Sequence, residues 1–129
     1  MVIMDILADA INIIKVHENA GLDSCTVSNT KLVKAVIGIM ASSGYIKKVE
    51  EFKEEKRQKL RITLAKRIND VGIIKPRFAV RLDEFQKYEI RYIPSRDFGI
   101  LILSTPEGIM TNVEAKQKHL GGRLLAYVY

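Results

Sequence analysis

The chain has 129 residues, 47% of them hydrophobic, with one cysteine and a formal net charge of +6. That length can bury a sizeable core without cross-links, the lone Cys25 excludes an internal disulfide, and the composition excludes collagenous and disordered classes. The excess of 21 Lys and Arg over 15 Asp and Glu favours a polyanionic partner, because basic side chains release counterions from phosphate. No apolar run approaches the ~20 residues of a membrane span, and the first residues lack the basic start of a signal peptide. The expected location is the cytoplasm, with no membrane partner.

In chain order, Leu7, Ala10, Ile11 and Ile14 recur at helical spacing and predict a first helix, opening near Asp5 or Asp9 and closed by Gly21. A short strand over 24–27 follows. Ser28, Asn29 and Thr30 each offer a cap for a second helix, with Leu32, Val36, Ile39 and Met40 on its apolar side and Gly44 as its left-handed stop. Leu60, Ile62 and Leu64 alternate with Arg61, Thr63 and Ala65, so 45–53 and 59–65 form a hairpin across a polar turn at 54–57. Turn chemistry concentrates at Asn69-Asp70-Val71-Gly72. It divides an N-terminal α/β domain, 1–68, from a C-terminal β-rich domain, 69–129. The expected fold class is α/β of the α+β kind, in two small domains.

Beyond that boundary, short strands over 72–74 and 78–81 flank Pro76, and a helical turn covers 83–88 before Pro94. Ile100-Leu101-Ile102-Leu103 is an unbroken apolar run, as a strand buried on both faces requires. A loop over 104–110 comes next. Thr111-Asn112-Val113-Glu114 then fits a capping box that opens a short helix to about His119; Gly121-Gly122 ends it, and 123–129 make the last strand.

Catalytic and metal chemistry find little here. His17, His119 and Cys25 lack ligand spacing, so neither a metal nor a cofactor is expected. Ser104, His119 and Asp97 are the only set that suggests acyl transfer, but no G-x-S-x-G elbow surrounds Ser104 and no glycine-rich phosphate loop is present. The chain reads as a non-enzyme.

Two surfaces suit nucleic acid instead. At the start of the second helix, Ser28, Asn29, Thr30, Lys31 and Lys34 put hydroxyl, amide and cationic donors beside free helix N–H groups, a phosphate site; plain capping with solvated lysines is the competing reading. The second surface is Ser104-Thr105-Pro106-Glu107-Gly108. Its small side chains permit close approach to the sugar hydroxyls and splayed bases of a folded RNA; an ordinary turn is the competing reading. Lys56, Arg57, Lys59 and Arg61, and later Lys75, Arg77, Arg81, Arg91 and Arg96, extend the field or touch other proteins; a solvated face is the competing reading. Residues 1–68 hold 12 basic and 8 acidic side chains and 69–129 hold 9 and 7, so neither half is a basic tail. The order helix, strand, helix, strand, strand also fits a winged-helix DNA-binding regulator, although Asn29, Lys31 and Lys34 serve phosphates better than base edges.

Ser104-Thr105-Pro106-Glu107-Gly108-Ile109-Met110-Thr111, then Glu114-Ala115-Lys116, Leu120-Gly121-Gly122 and Tyr127, closely resemble the signature of the family of small-subunit ribosomal protein number eight. Met4-Asp5, Leu7-Ala8-Asp9, Thr30-Lys31-Leu32 and Gly44-Tyr45-Ile46 extend the resemblance over essentially the whole chain. Ile73 to Phe78, Arg96 to Gly99 and Gly122 to Tyr129 resemble its archaeal and eukaryotic branch. The resemblance implies a structural constituent of the small ribosomal subunit. Such a protein binds the central domain of small-subunit ribosomal RNA directly, aids assembly, touches neighbouring ribosomal proteins and needs no cofactor. Several lineages also repress their own operon by binding its messenger RNA. By position, Ser104, Thr105 and Gly108 would enter an irregular RNA helix, Gly121 and Gly122 would shape the wall behind the loop, and Thr30 and Lys31 would hold phosphates. Pro106 departs from the family's usual hydroxyl residue: it removes a donor, yet its fixed φ pre-organises the loop.

Overall fold

A computed structural model describes residues 6–74, 77–94 and 99–129; Asp5, Lys75, Pro76, Arg96 and Asp97 lie outside them. The fold is α+β, in two units, Met1–Ile68 and Asn69–Tyr129, the first richer in helix and the second in strand.

The first unit runs α1 (Ile6–Asn19), β1 (Ser24–Ser28), α2 (Lys31–Ser42), β2 (Ile46–Glu54) and β3 (Arg57–Leu64), with an antiparallel sheet ordered β1-β3-β2. On α1 the buried residues are Leu7, Ala10, Ile11 and Ile14, the set that helical spacing predicts. On α2 they are Val33, Val36, Ile37 and Met40, whereas Leu32 and Ile39 are only partly buried. The expected stripe was turned because six apolar residues crowd this helix, so periodicity alone does not select a face. Both helices end in Schellman motifs. Leu22 N–H donates to His17 C=O at 3.0 Å around Gly21, and Tyr45 N–H to Met40 C=O at 3.0 Å around Gly44. Cys25, Val27, Leu60, Ile62 and Leu64 form the buried face of the sheet. Desolvation, with help from Glu18, pushes the Cys25 thiol up to about 11, so this cysteine is a packing residue. The β2–β3 hairpin is tighter than the sequence suggests, with only Glu55 and Lys56, both at positive φ, between the paired residues Glu54 and Arg57.

The second unit contains β4 (Val71–Ile73), β5 (Ala79–Val80), a 3₁₀ turn (Leu82–Glu84), α3 (Phe85–Tyr92), β6 (Ile100–Thr105), β7 (Gly108–Thr111), α4 (Asn112–Gln117) and β8 (Gly122–Val128). In its antiparallel sheet β8 lies between β6 and the pair β4 and β5, and β7 flanks β6. Leu101, Ile102 and Leu103 are all essentially inaccessible, as a strand buried on both faces must be. Phe85, Tyr88, Leu101, Leu103, Met110 and Leu124 belong to one apolar cluster.

Three expectations need correction here. Residues 104–110 are no loop: β6 continues to Thr105, β7 begins at Gly108, and only Pro106 and Glu107 remain in the turn. The helical turn over 83–88 is a 3₁₀ turn leading into a helix that reaches Tyr92. Gly121-Gly122 do not end α4, which stops at Gln117 in a third Schellman motif, with His119 at φ 56 as its left-handed residue. The Thr111 hydroxyl accepts from Glu114 N–H at 3.2 Å, as a cap should. Behind β6, buried Glu89 of α3 accepts from Asn112 Nδ2 at 2.6 Å and from Lys116 Nζ at 2.5 Å, while Leu101 N–H donates to Asn112 Oδ1 at 3.2 Å. This network ties α3 and α4 to the strand that carries the candidate site.

Candidate nucleic-acid interface

The C-terminal unit holds an open cleft of about 910 Å³ lined by Arg81, Ser104, Thr105, Pro106, Gly121, Gly122 and Arg123, among others. Backbone geometry builds it. A Cβ placed on Gly122 would run into the Ser104 carbonyl oxygen, and one on Gly121 would lie 2.6 Å from the Val80 carbonyl oxygen. The glycine pair therefore lets β5 and β6 approach β8 more closely than any side chain permits.

The hairpin above the cleft is held from within. Thr105, 8% exposed, donates its hydroxyl hydrogen to Gly108 C=O at 2.8 Å, and its oxygen accepts from Glu107 N–H at 3.2 Å. The Thr105 hydroxyl is thus spent on the turn. Pro106 needs no N–H partner here, and Gly108 takes a φ of 123°, open to glycine at no steric cost. Ser104 is different: its hydroxyl enters no side-chain hydrogen bond among the described residues. Ser104 pairs with Arg123 across β6 and β8, so the two side chains share a face. Asp83 and Glu84 also line the cleft, which balances its two arginines. The cleft therefore offers shape and hydrogen-bonding groups more than net charge. Glu107 and Gly108 are exposed at the hairpin tip. Tyr127 of the motif serves structure, stacking between Tyr92 and Tyr129 and donating its hydroxyl to Asp70 at 3.2 Å.

The other expected surface, at the start of α2, belongs to the first unit. Thr30 is the cap, its hydroxyl accepting from Val33 N–H at 3.2 Å. Lys34 pairs with Glu51 at 2.6 Å, and Asn29 Nδ2 donates to the same carboxylate at 3.4 Å. Lys31 is exposed. The hydrogen bond from Lys34, with that from Asn29, holds the Glu51 carboxyl below its usual range.

The sequence reads Arg81 as general surface charge and gives Arg123 no role beyond its place in the last strand. The signal for Arg123 was its place directly after the glycine pair, which puts it opposite Ser104 in register. Arg81 is brought in by β5, whose pairing with β8 has no local sequence signature. Of the hydrolase set, Asp97 lies outside the described residues, and His119 is the left-handed residue that closes α4. Among the described residues no group of His, Cys, Asp and Glu is placed to hold a metal ion, and no helix is long and apolar enough to cross a membrane.

Comparison with known proteins gives the family. Residues 5–129 match the family model of ribosomal protein S8. Small ribosomal subunit protein uS8 of Methanococcoides burtonii is 42% identical over 130 residues, covering all of both chains. The proteins of the same name from Thermoplasma acidophilum and Thermoplasma volcanium are each 44% identical over 126 residues, covering 97% of this chain and 98% of theirs. All three relatives are named as proteins of the small ribosomal subunit. With this cleft, this glycine pair and this match from end to end, the chain belongs to the ribosomal protein S8 family of the small ribosomal subunit.

Proposed function

We propose that this chain binds the central domain of small-subunit ribosomal RNA directly and helps that domain fold, working in the cytoplasm beside neighbouring ribosomal proteins. The observation that carries the reading is the cleft beneath the β6–β7 hairpin, where the Ser104 hydroxyl and the guanidinium of Arg123 share one face. A rigid concave site with small walls suits a bulged, irregular RNA helix, whose extruded bases and 2′-hydroxyls need short hydrogen bonds. Thr105, Pro106 and Gly108 set the hairpin's shape, Gly121 and Gly122 form its wall, and Glu107 offers an acceptor to base amino groups at the tip. Thr30, Lys31 and Lys34 supply a second contact, directed at phosphates.

The test is binding of the whole chain to a folded central-domain fragment, compared with a regular RNA duplex and a DNA duplex of similar length across a salt series. Tight binding to the fragment alone, persisting at moderate salt, is expected. Equal, salt-sensitive binding to all three would assign the affinity to net charge and withdraw Ser104 as a recognition residue. A transcript of the gene's own operon belongs in the same assay: if the chain also represses that operon, the transcript competes with the fragment at equal concentration.

A further inference from the structure

The N-terminal sheet is covered on one side only. Its buried face carries Cys25, Val27, Leu60, Ile62 and Leu64, and strand alternation sends the intervening residues to the opposite side. On β1 these are Ser24, Thr26 and Ser28, all exposed. Register places them beside Thr63, Arg61 and Lys59 of β3 respectively. Lys59 and Arg61 in turn lie opposite Phe52 and Glu50 of β2. A row of hydroxyls thus runs alongside a row of cations in the centre of an open sheet.

Charge on this face is net positive, although Glu50 lies opposite Arg61 and Glu54 opposite Arg57. Lys48, Arg57, Lys59 and Arg61 outnumber Glu50 and Glu54, and Glu50 is already answered by Lys48 at 2.7 Å. Arg61 lies over the Phe52 ring at 5.4 Å, which orders its guanidinium against the sheet before any ligand arrives and lowers the entropy cost of using it. Alternate positions on β3 recur roughly every 6.8 Å, a spacing of the same order as successive phosphates of a nucleic-acid strand. Phe52 is the sole aromatic on the face and is half-buried beneath Arg61, so base stacking has no platform here, whereas backbone contact has both its charges and its hydroxyls.

We infer that the open face of the β1-β3-β2 sheet is a third RNA-binding surface, taking the sugar-phosphate backbone through Lys59 and Arg61 with the hydroxyls of Thr26 and Ser28 beside them. It reads no sequence. It uses none of the cleft's residues, shares only Ser28 with the site expected at the start of α2, and does not rest on the role proposed for either.

The experiment uses the whole chain and two probes, a single-stranded oligouridylate of about twelve nucleotides and a regular RNA duplex, each titrated across a salt series. Replacing both cations (K59Q with R61Q) should weaken binding roughly tenfold at low salt. It should also lower the slope of log affinity against log salt by about 1.4 on the single strand and about 1.8 on the duplex. A loss on one probe only identifies which backbone the face takes. T26E, which brings a negative charge from β1 without touching either cation, should act in the same direction, with circular dichroism unchanged for both variants. The charge-matched control is K87Q with K118Q. If that control loses as much as the β3 pair on both probes, net charge alone is responsible and the surface is withdrawn. If polyglutamate displaces the RNA probes at equal charge concentration, the face takes acidic protein segments, and the RNA assignment falls.

Discussion

At the start of α2 the solvent-facing donors are largely answered by the protein itself: Thr30 caps the helix, and Lys34 and Asn29 share the Glu51 carboxylate. In the C-terminal cleft the polar groups that fix the hairpin are satisfied in the same way, through Thr105, but Ser104 is left over on a face set by two glycines and a proline turn. One candidate site is a set of charges at a helix end, and the other is a shape made by backbone. The difference predicts different vulnerabilities. The cleft should fail through geometry and without much change in salt dependence, whereas the helix start should respond to charge and hardly at all to packing.

The severest break should come from Gly122→Val. Any side chain there meets the Ser104 carbonyl oxygen and the Thr105 methyl, so β6 and β8 must separate. A loss of about 3 kcal/mol in urea unfolding is expected, together with loss of fragment binding by whatever protein remains folded. A variant as stable as the wild type and binding as well would show that strand approach does not make the cleft. Next comes Glu89→Ala, which strands the amide of Asn112 in the core and leaves Lys116 without its carboxylate. Because Lys116 keeps access to water, the expected cost is about 2 kcal/mol, read by the same unfolding curve. RNA affinity of the folded protein should stay within about twofold unless the network also sets the angle of β6.

Ser104→Ala separates recognition from stability. It should leave the unfolding midpoint where it was, since the hydroxyl makes no side-chain hydrogen bond within the described protein, yet cost about 1.5 kcal/mol of binding to the central-domain fragment by orphaning an RNA partner. The salt slope should not move. Lys31→Ala is its mirror image, lowering the slope by about 0.9 with stability unchanged. Should both variants alter the slope equally, the contrast between shape and charge would have to be given up.

How far the sequence announces these features depends on whether local chemistry or long-range pairing decides them. The α1 stripe, the Thr30 cap, Gly21 and Gly44 are local, and reading residues in order finds them. α3 was cut short because its pattern runs against the rule: Glu89 points inward to Asn112 and Lys116 while Ile90 is 74% exposed, so the apolar periodicity fades halfway along. Residues 104–110 read as a loop in sequence because Pro106 and Gly108 are turn residues in any context. Only the pairing of Thr105 with Gly108 reveals that two residues suffice. Gly121-Gly122 were assigned to stopping a helix, a local use of glycine, when their work is to admit a neighbouring strand. The cleft depends on register between β5, β6 and β8, which are far apart in the chain. Its motif was recognisable by resemblance long before its geometry was derivable.

The finest test of the contrast alters the site at the start of α2. Glu51 is exposed, and the hydrogen bonds and charge of Lys34 and Asn29 hold its carboxyl below the usual range. A depressed carboxyl contributes stability that is present above its unfolded value and is lost as pH falls through the folded one; for so exposed a group that loss is small. For binding, the sign reverses. Glu51 competes with phosphate for Lys34 and Asn29, so Glu51→Gln should raise affinity for the RNA fragment roughly twofold at neutral pH, since an exposed pair is worth little. It should also steepen the salt slope, because one more cation is free to displace counterions. The wild type should approach the variant's affinity as pH falls through the Glu51 titration. If Glu51→Gln binds no better at any pH, Lys34 stays out of the interface, and the N-terminal contact at the start of α2 reduces to Lys31 and the helix end itself.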